Sequence, residues 1–499
     1  MSEPSAKRGT AGAPSQTASS AERRYREVAI VVIMLGVTMS GIDTSAVVLA
    51  LPVMMQDLAS DLISMIWVIM GYLLVITVLG TQVGRMGDMF GRVRLYNVGF
   101  ATFTFGSLLC ALSVSGPQLI AFRVVQGLGG ALVTANSGAI IADTFPYRER
   151  GRAYGITGTG YSLGAILGIL VGGAFVTFLN WRYIFIINLP IGVVATVMSF
   201  VVLRERSPRI KARLDLGGML ILGASLFFLL YGLTSIIGSG LTLEYAGEVV
   251  ASLLLLGVFA AYERRQSSPL LDISLLKQRI LSASILAAFL QSLASFSVLF
   301  LLIMYMQGAR GMTPWNAALL LIPGYILGGA VAPFSGRLSD RMGARVIASV
   351  GLVLQVCGFL VYSTVGVATP VYVVILGAIL NGAGNSSFYP ANNSAVMASA
   401  PARAYGVVSG LLRTFSNIGL VCSFALALLI VSLSIPRRTA FEIFLGVGRI
   451  QGQLSASFID GMHFALLGSI LVLLIAVALS ALRGKEERTI GHPAPSATS

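Results

Sequence analysis

The chain has 499 residues, of which 56% are hydrophobic and only 11% charged, with a mean hydropathy of +0.85; this excludes an ordinary soluble globular protein. The formal net charge is +14, yet its distribution excludes nucleic acid as the reason for it, as set out below. Cys110, Cys357 and Cys422 each sit inside an apolar stretch, which excludes a disulfide framework or a metal-binding spacing.

Residues 1–27 are polar and rich in Ser, Ala, Gly and Arg. They have no apolar core, so no signal peptide is read there, and a disordered cytoplasmic tail is expected. From residue 28 onward apolar runs long enough to cross a bilayer recur along the chain. Helices are the expected form, because an open sheet edge cannot face lipid. Fourteen spans are expected: 28–50, 65–83, 94–114, 118–140, 152–177, 183–203, 216–237, 246–262, 279–306, 314–336, 344–366, 369–392, 404–434 and 459–482. Residues 28–203 form a first six-helix bundle, 204–278 a linker carrying two extra spans, 279–482 a second six-helix bundle, and 483–499 a second disordered cytoplasmic tail.

Orientation follows from Lys and Arg. With the N-terminus inside, 27 of the 34 basic residues fall in inner segments. Five fall in outer loops: Arg182, Arg310, Arg437, Arg438 and Arg449. Arg123 and Arg413 lie within spans. Both termini are therefore expected to be cytoplasmic, in a multi-pass protein of the cell (plasma) membrane. The basic charge reads as a topology signal and as attraction to anionic lipid headgroups.

The first span contains a lone acid, Asp43, in "GVTMSGIDTSAVVLALP" (36–52). After the second span comes "GRMGDMFGRVR" (84–94), and after the tenth "GRLSDRMGAR" (336–345). Gly84 pairs with Gly336, Arg85 with Arg337, Asp88 with Asp340 and Gly91 with Gly343, at a constant offset of 252 residues. This is an internal repeat that halves the chain. Glycines allow a short turn between helix ends. An Asp near a helix N-terminus, with Arg beside it, makes a cluster able to hold one helix arrangement and release another. The alternative is a solvated turn that follows the charge rule.

With these loops, "DTSAVVLALP" (43–52), "LIAFRVVQGLGGA" (119–131) and "WRYIFIINLPIG" (181–192), the sequence resembles the major facilitator superfamily, and within it the fourteen-helix drug/proton antiporters. The resemblance covers residues 28 to 482. It implies an all-α polytopic membrane fold and proton-coupled export of lipophilic small molecules by alternating access, a multidrug efflux activity. No cofactor is implied beyond a proton gradient. It also implies an inner gate of Gly84, Asp88, Gly91, Arg92, Asp143 and Arg152, with Gly336, Asp340, Arg341 and Gly343 in the second copy. One position departs from the family. The helix-5 antiporter pattern has a proline where "GAILGILVGG" (164–173) has Ile169, which removes a kink and keeps open a uniporter or importer of a neutral or anionic solute. Gly160, Gly164, Gly168 and Gly172 remain, four residues apart, so a neighbouring helix can approach closely.

Depth counting places Asp43 about seven residues, ~10 Å, from the outer end of its span. Tyr72, Arg123 and Gln126 fall in the same layer. An apolar surrounding favours the protonated form of a carboxyl and a guanidinium favours the carboxylate. Asp43 with Arg123 is thus the candidate proton-coupling pair, since acids inside a membrane are functional by default. The alternatives are an N-cap role for Asp43 and snorkelling for Arg123. Asp43, Tyr72 and Gln126 are also candidate substrate ligands, with Gln291, Tyr325, Asn381, Asn385, Phe388, Arg413 and Asn417 in the second half. The amides alternatively bond helix to helix, and Arg413 faces an inner vestibule or pairs with a substrate anion. With one deep acid, a lipophilic monocation or neutral substrate is expected. The outer loop 435–458 is a candidate interfacial element.

No G-x-x-x-x-G-K-[ST] sequence occurs, so nothing suggests ATP use. The two histidines, His463 and His492, form no H-E-x-x-H, and no reactive cluster suggests an enzyme. Partners are then the substrate, protons and membrane lipids, with no nucleic acid, and a monomer is expected.

Overall fold

The computed structural model describes residues 20–145, 147–206, 214–266, 277–399, 405–434 and 453–484. Its elements in chain order are α1 (Ser20–Asp57), α2 (Leu62–Phe90), α3 (Arg92–Ala111), α4 (Gly116–Thr144), α5 (Tyr147–Phe178), a single-turn α6 (Tyr183–Ile186), α7 (Asn188–Val202), α8 (Leu216–Ser239), α9 (Leu243–Glu263), α10 (Arg279–Met304), α11 (Pro314–Met342), α12 (Ala344–Tyr362), α13 (Val371–Ser399), α14 (Tyr405–Ser434) and α15 (Gln453–Leu482). A π-helical turn, Tyr305–Ala309, extends α10. Among the described residues twelve helices are long and apolar enough to cross a membrane. α3 is not one of them; it opens on Arg92 and Arg94 and carries Asn97.

The helix starts follow from local chemistry. Asp61, Ser115, Asp215, Thr242 and Thr313 each turn a side-chain oxygen onto the backbone N–H three residues on, satisfying one of the unpaired amides of the first turn. Pro314 follows its cap at the first helical position, where no N–H is needed.

α1 to α7 pack as one bundle, with α1 on α5, α4 between α2 and α3, and α7 on α1 and α3; α10 to α15 pack as a second, with α13 between α11 and α12, and α15 on α10 and α12. α8 and α9 pair with each other, and α8 lies against α2 and α14. The bundles meet where α5 packs on α11 and where α14 packs on α2. At the first of these junctions lie two interbundle bonds: the Trp315 N–H donates to Thr177 Oγ1 at 3.1 Å and Gln307 Nε2 to the Leu49 carbonyl at 3.4 Å. Both contacts lie at the end remote from the arginine-rich loops.

The structure moves several expected boundaries. α1 begins at Ser20, inside the expected tail. Glu22 pairs with Arg26 at 3.5 Å and with both terminal nitrogens of Arg206 at 2.9 and 3.1 Å. The Arg204 N–H donates to the Tyr25 hydroxyl at 3.2 Å. Partners some 180 residues away thus hold a polar segment helical. At the other end Arg483 is buried, and its Nη1 donates to Ser284 Oγ and Asn392 Oδ1 at 3.2 and 3.1 Å. The duplicated loops are themselves almost wholly helical. α2 runs to Phe90 and α11 to Met342, and a single glycine separates each from the next helix. Gly91 (φ 108°, ψ 125°) and Gly343 (φ 97°, ψ 141°) adopt nearly the same backbone, one that a residue with a Cβ rarely takes. The repeat is therefore a repeat of conformation as well as of sequence. The outer loop lies outside the described residues over 435–452.

Candidate functional site

α1 passes through Asp43 as uninterrupted helix, so Asp43 caps nothing. Its carboxylate turns inward toward α4 instead. Arg123 Nη1 reaches Asp43 Oδ2 at 2.7 Å, and Gln126 Nε2 reaches Asp43 Oδ1 at 2.8 Å. Arg123 and Gln126 stand one turn apart on α4, as an i,i+3 pair must to share a face. Arg123 Nη1 also donates to Gln126 Oε1 at 2.6 Å, and its Nε to the Val68 carbonyl on α2 at 3.1 Å. The guanidinium lies 4.2 Å from the centre of the Tyr72 ring and 5.8 Å from that of Phe185. Asp43 and Arg123 are each only 1% exposed. Arg123 therefore does not snorkel; Val68 and Tyr72 of α2 and Phe185 of α6 surround it.

Three further residues, none of them a site candidate on sequence grounds, complete this cluster. Ser107 on α3 accepts from Gln126 Nε2 at 2.8 Å. Cys110, one turn on, points its thiol at Gln126 Oε1 at 3.7 Å. Asn188, the first residue of α7, places Nδ2 at 3.4 Å from Asp43 Oδ1. The one available signal was the polar residue inside the apolar run "YIFIINLPIG". A buried ion pair is held only when its remaining donors and acceptors find partners, and here α2, α3, α4 and α7 all supply them.

α1 comes close enough to matter because α5 presents glycine to it. A Cβ at Gly164 would meet the Thr38 carbonyl, one at Gly168 the Ile42 backbone, and one at Gly172 the Ala46 backbone. Thr38 Oγ1 donates across this seam to the Gly160 carbonyl at 2.9 Å. Ile169 is buried, and α5 continues through it as a single helix.

In the second half the predicted residues divide. Gln291 Nε2 lies within 3.0 Å of Gln355 Oε1 and of Asn385 Oδ1, and 3.2 Å from Ser295 Oγ. Ser295 Oγ donates to Gln355 Oε1 at 2.8 Å. At the 252-residue offset of the repeat, Ser295 stands where Asp43 stands in the first half. A neutral amide cluster thus occupies the place of the ionic one. Asn381 sits one turn before Asn385, with its Oδ1 buried and accepting no hydrogen bond among the described residues. Phe388 is buried, edge-on to Tyr389 at 5.7 Å. Tyr325 and Asn417 are half-buried, and no contact joins them to the amide cluster in the described geometry. Arg413 is exposed, and its Nη1 donates to the Thr134 carbonyl of α4 at 2.8 Å, joining the two bundles.

Of the expected inner gate, Arg92 gathers two acids. Its Nη2 lies 2.7 Å from Asp88 Oδ1 and its Nη1 2.7 Å from Asp143 Oδ1. Glu205 joins from beyond α7. Its carboxylate accepts from the Arg92 and Val93 amides at 3.1 and 3.2 Å, a negative charge on the N-terminus of α3. It would crowd any Cβ at Gly91. Gly84 and Gly336 face open space, so neither is a packing contact. Arg341 is exposed; the side chains of Arg152 and Asp340 lie outside the described residues.

Comparison with known families matches residues 33–425 to the Major Facilitator Superfamily. The chain is 29% identical over 409 residues to the riboflavin transporter RibZ of Clostridioides difficile, covering 81% of this chain and 87% of that one. It is 29% identical over 394 residues to the tetracenomycin C resistance and export protein of Streptomyces glaucescens, covering 78% and 73%. Among solved structures, a bacterial homologue of the human lysosomal transporter Spinster, inward-facing and occupied, superposes with a TM-score of 0.63 at 18% identity, covering 92% of this chain and 97% of that one; this likeness concerns the fold.

Proposed function

The chain belongs to the Major Facilitator Superfamily, a family of membrane transporters, and we propose that it exports lipophilic small molecules in exchange for protons, with Asp43 as the proton site. The observation that carries this reading is the sealed pair of Asp43 and Arg123, a full carboxylate–guanidinium contact of 2.7 Å with neither side chain open to solvent. Such a pair has two states. With the carboxylate ionised, Arg123 is neutralised and the helices around it are held. With the carboxyl protonated, Arg123 loses its counter-ion, and the contact that ties α1 to α4 weakens. Alternating access needs an element with two arrangements that a ligand biases; the ligand here is the proton.

Substrate contacts fall to the second half, Arg413 included. Asp43 is occupied by Arg123, Gln126 and Asn188, which supports proton rather than substrate binding at that carboxylate. The bonds Trp315–Thr177 and Gln307–Leu49 support a state closed at the outer end. Both termini then lie in the cytoplasm, where the arginine-rich helix junctions around Gly91 and Gly343 form the inner gate. The tetracenomycin C export protein is as similar to this chain as the riboflavin transporter is, which agrees with export. Uniport or import of a neutral or anionic solute is the second reading, favoured by the continuous α5 through Ile169.

The test is transport in proteoliposomes containing a pH-sensitive dye, with cationic, neutral and anionic lipophilic compounds. The reading expects compound-dependent proton movement in the wild type and none with Asp43→Asn. Proton movement that persists unchanged in Asp43→Asn removes Asp43 from the role.

A further inference from the structure

Asn188 carries an unused acceptor beside the proton site. Its side chain is fully buried. Nδ2 makes one long contact, 3.4 Å, to Asp43 Oδ1, while Oδ1 accepts no hydrogen bond among the described residues. An orphaned amide oxygen in a dry site costs free energy, and if a donor stood where Asp43 stands a half-turn of the amide would give that oxygen a partner in exchange for the one long Nδ2 contact. A carboxylate is acceptor-only; a protonated carboxyl is also a donor.

We infer that Asn188 is a positioning residue that receives the proton-loaded form of Asp43: when Asp43 binds a proton, the Asn188 amide turns over and its Oδ1 accepts the new O–H. The inference rests on Asp43 being the proton site. A hydronium ion gives its proton to Asp43 Oδ1 and leaves as water. The amide makes a half-turn about its last side-chain bond, exchanging two groups of nearly equal size. Nδ2 leaves the carboxyl and Oδ1 takes its place. No bond to carbon changes, and the positive charge stays on Arg123.

The neighbours leave the new O–H few other destinations. From α4, Gln126 Oε1 already accepts from Arg123 Nη1 at 2.6 Å, with the Cys110 thiol of α3 at 3.7 Å. Ser107 Oγ of α3 accepts from Gln126 Nε2 at 2.8 Å. From α2, Tyr72 lies under the Arg123 guanidinium. From α6, Phe185 presents a ring, and α5 meets α1 through glycines. Among the described residues the charged and titratable groups facing Asp43 are thus Arg123, Tyr72 and Cys110, and the neighbouring acceptor that takes no hydrogen bond is Asn188 Oδ1.

The test is infrared difference spectroscopy of the intact transporter in lipid, taken between alkaline and acid pH. The carbonyl band of protonated Asp43 is identified by its absence in Asp43→Asn. The expected wild-type band is that of a hydrogen-bonded carboxyl, and Asn188→Leu, close in shape but without an acceptor, shifts it to the frequency of a free one. Asn188→Leu also needs about tenfold more acid for half-saturation with protons, the loss of one hydrogen bond from the protonated form. The carboxylate loses little by comparison, since Arg123 and Gln126 still donate to it. A wild-type band already at the free position overturns the inference and needs no Asn188 variant to be read. So does a band, or a half-saturation point, that Asn188→Leu leaves unmoved. If instead Asp43→Asn couples protons normally, it is the proton-site reading that fails.

Discussion

Arg123 and Asp43, 80 residues apart in the chain, meet at 2.7 Å with both side chains sealed from solvent. Removing one partner strands the other charge in a dry site. Asp43→Asn is expected to lower stability by about 3 kcal/mol or more. The double variant Asp43→Asn/Arg123→Gln is expected to recover most of that loss, because no unpaired charge remains, but no proton coupling. Thermal unfolding of the four proteins of this cycle gives the interaction energy. Additive losses would show that the pair contributes nothing.

Arg123→Lys keeps the charge but discards the geometry. Arg123 serves the Val68 carbonyl, Gln126 and Asp43 at once while stacking on Tyr72, a pattern that a point charge on a flexible stem does not reproduce. Protein that folds and reaches the membrane, with transport reduced by about tenfold, is expected, equivalent to ~1.4 kcal/mol. Wild-type transport rates in this variant would show that charge alone suffices.

The seam between α1 and α5 tolerates no added methyl group at its centre. Gly164→Ala drives a Cβ into the Thr38 backbone, which has no flexible end to yield, at an expected cost of about 3 kcal/mol. Gly158→Ala on the same helix meets nothing within 4 Å and is expected to be neutral or to gain about 0.5 kcal/mol of helix stability. Comparing the two thermal midpoints checks the seam without reference to transport.

Arg92 spans two acids in a half-exposed setting, where such pairs contribute little to stability. Arg92→Ala is therefore expected to leave the thermal midpoint nearly unchanged and to slow transport by about tenfold. A midpoint that falls in step with activity would mark the cluster as a structural brace.

The first-half site was legible where it rests on periodicity and depth. Counting residues from the span ends put Asp43, Tyr72, Arg123 and Gln126 in one layer, and they converge. The same reasoning does not see around a bundle. Asn188 and Ser107 lie on helices whose rotation about their axes is fixed only by packing, so their inward faces were not read. Glu205 was hidden because its role is to cap α3, more than a hundred residues earlier in the chain. Gln291 and Asn385 meet in one cluster, but their partner Gln355 is a single amide on another helix whose inward face only packing fixes. The helical start at Ser20 was missed because composition weighs a segment alone, and Glu22 and Tyr25 find Arg206 and Arg204 only in the folded chain.

The glycine seam has a mechanical meaning. With backbone set on backbone at Gly164, Gly168 and Gly172, α1 has no room to slip or roll against α5. The two helices make one stiff rod pair, and Asp43 is riveted to the same body that meets α11 at the junction of the bundles. If Asp43 is the proton site proposed above, a proton arriving there does not have to send a signal to that junction; it acts on a lever whose other arm is already there.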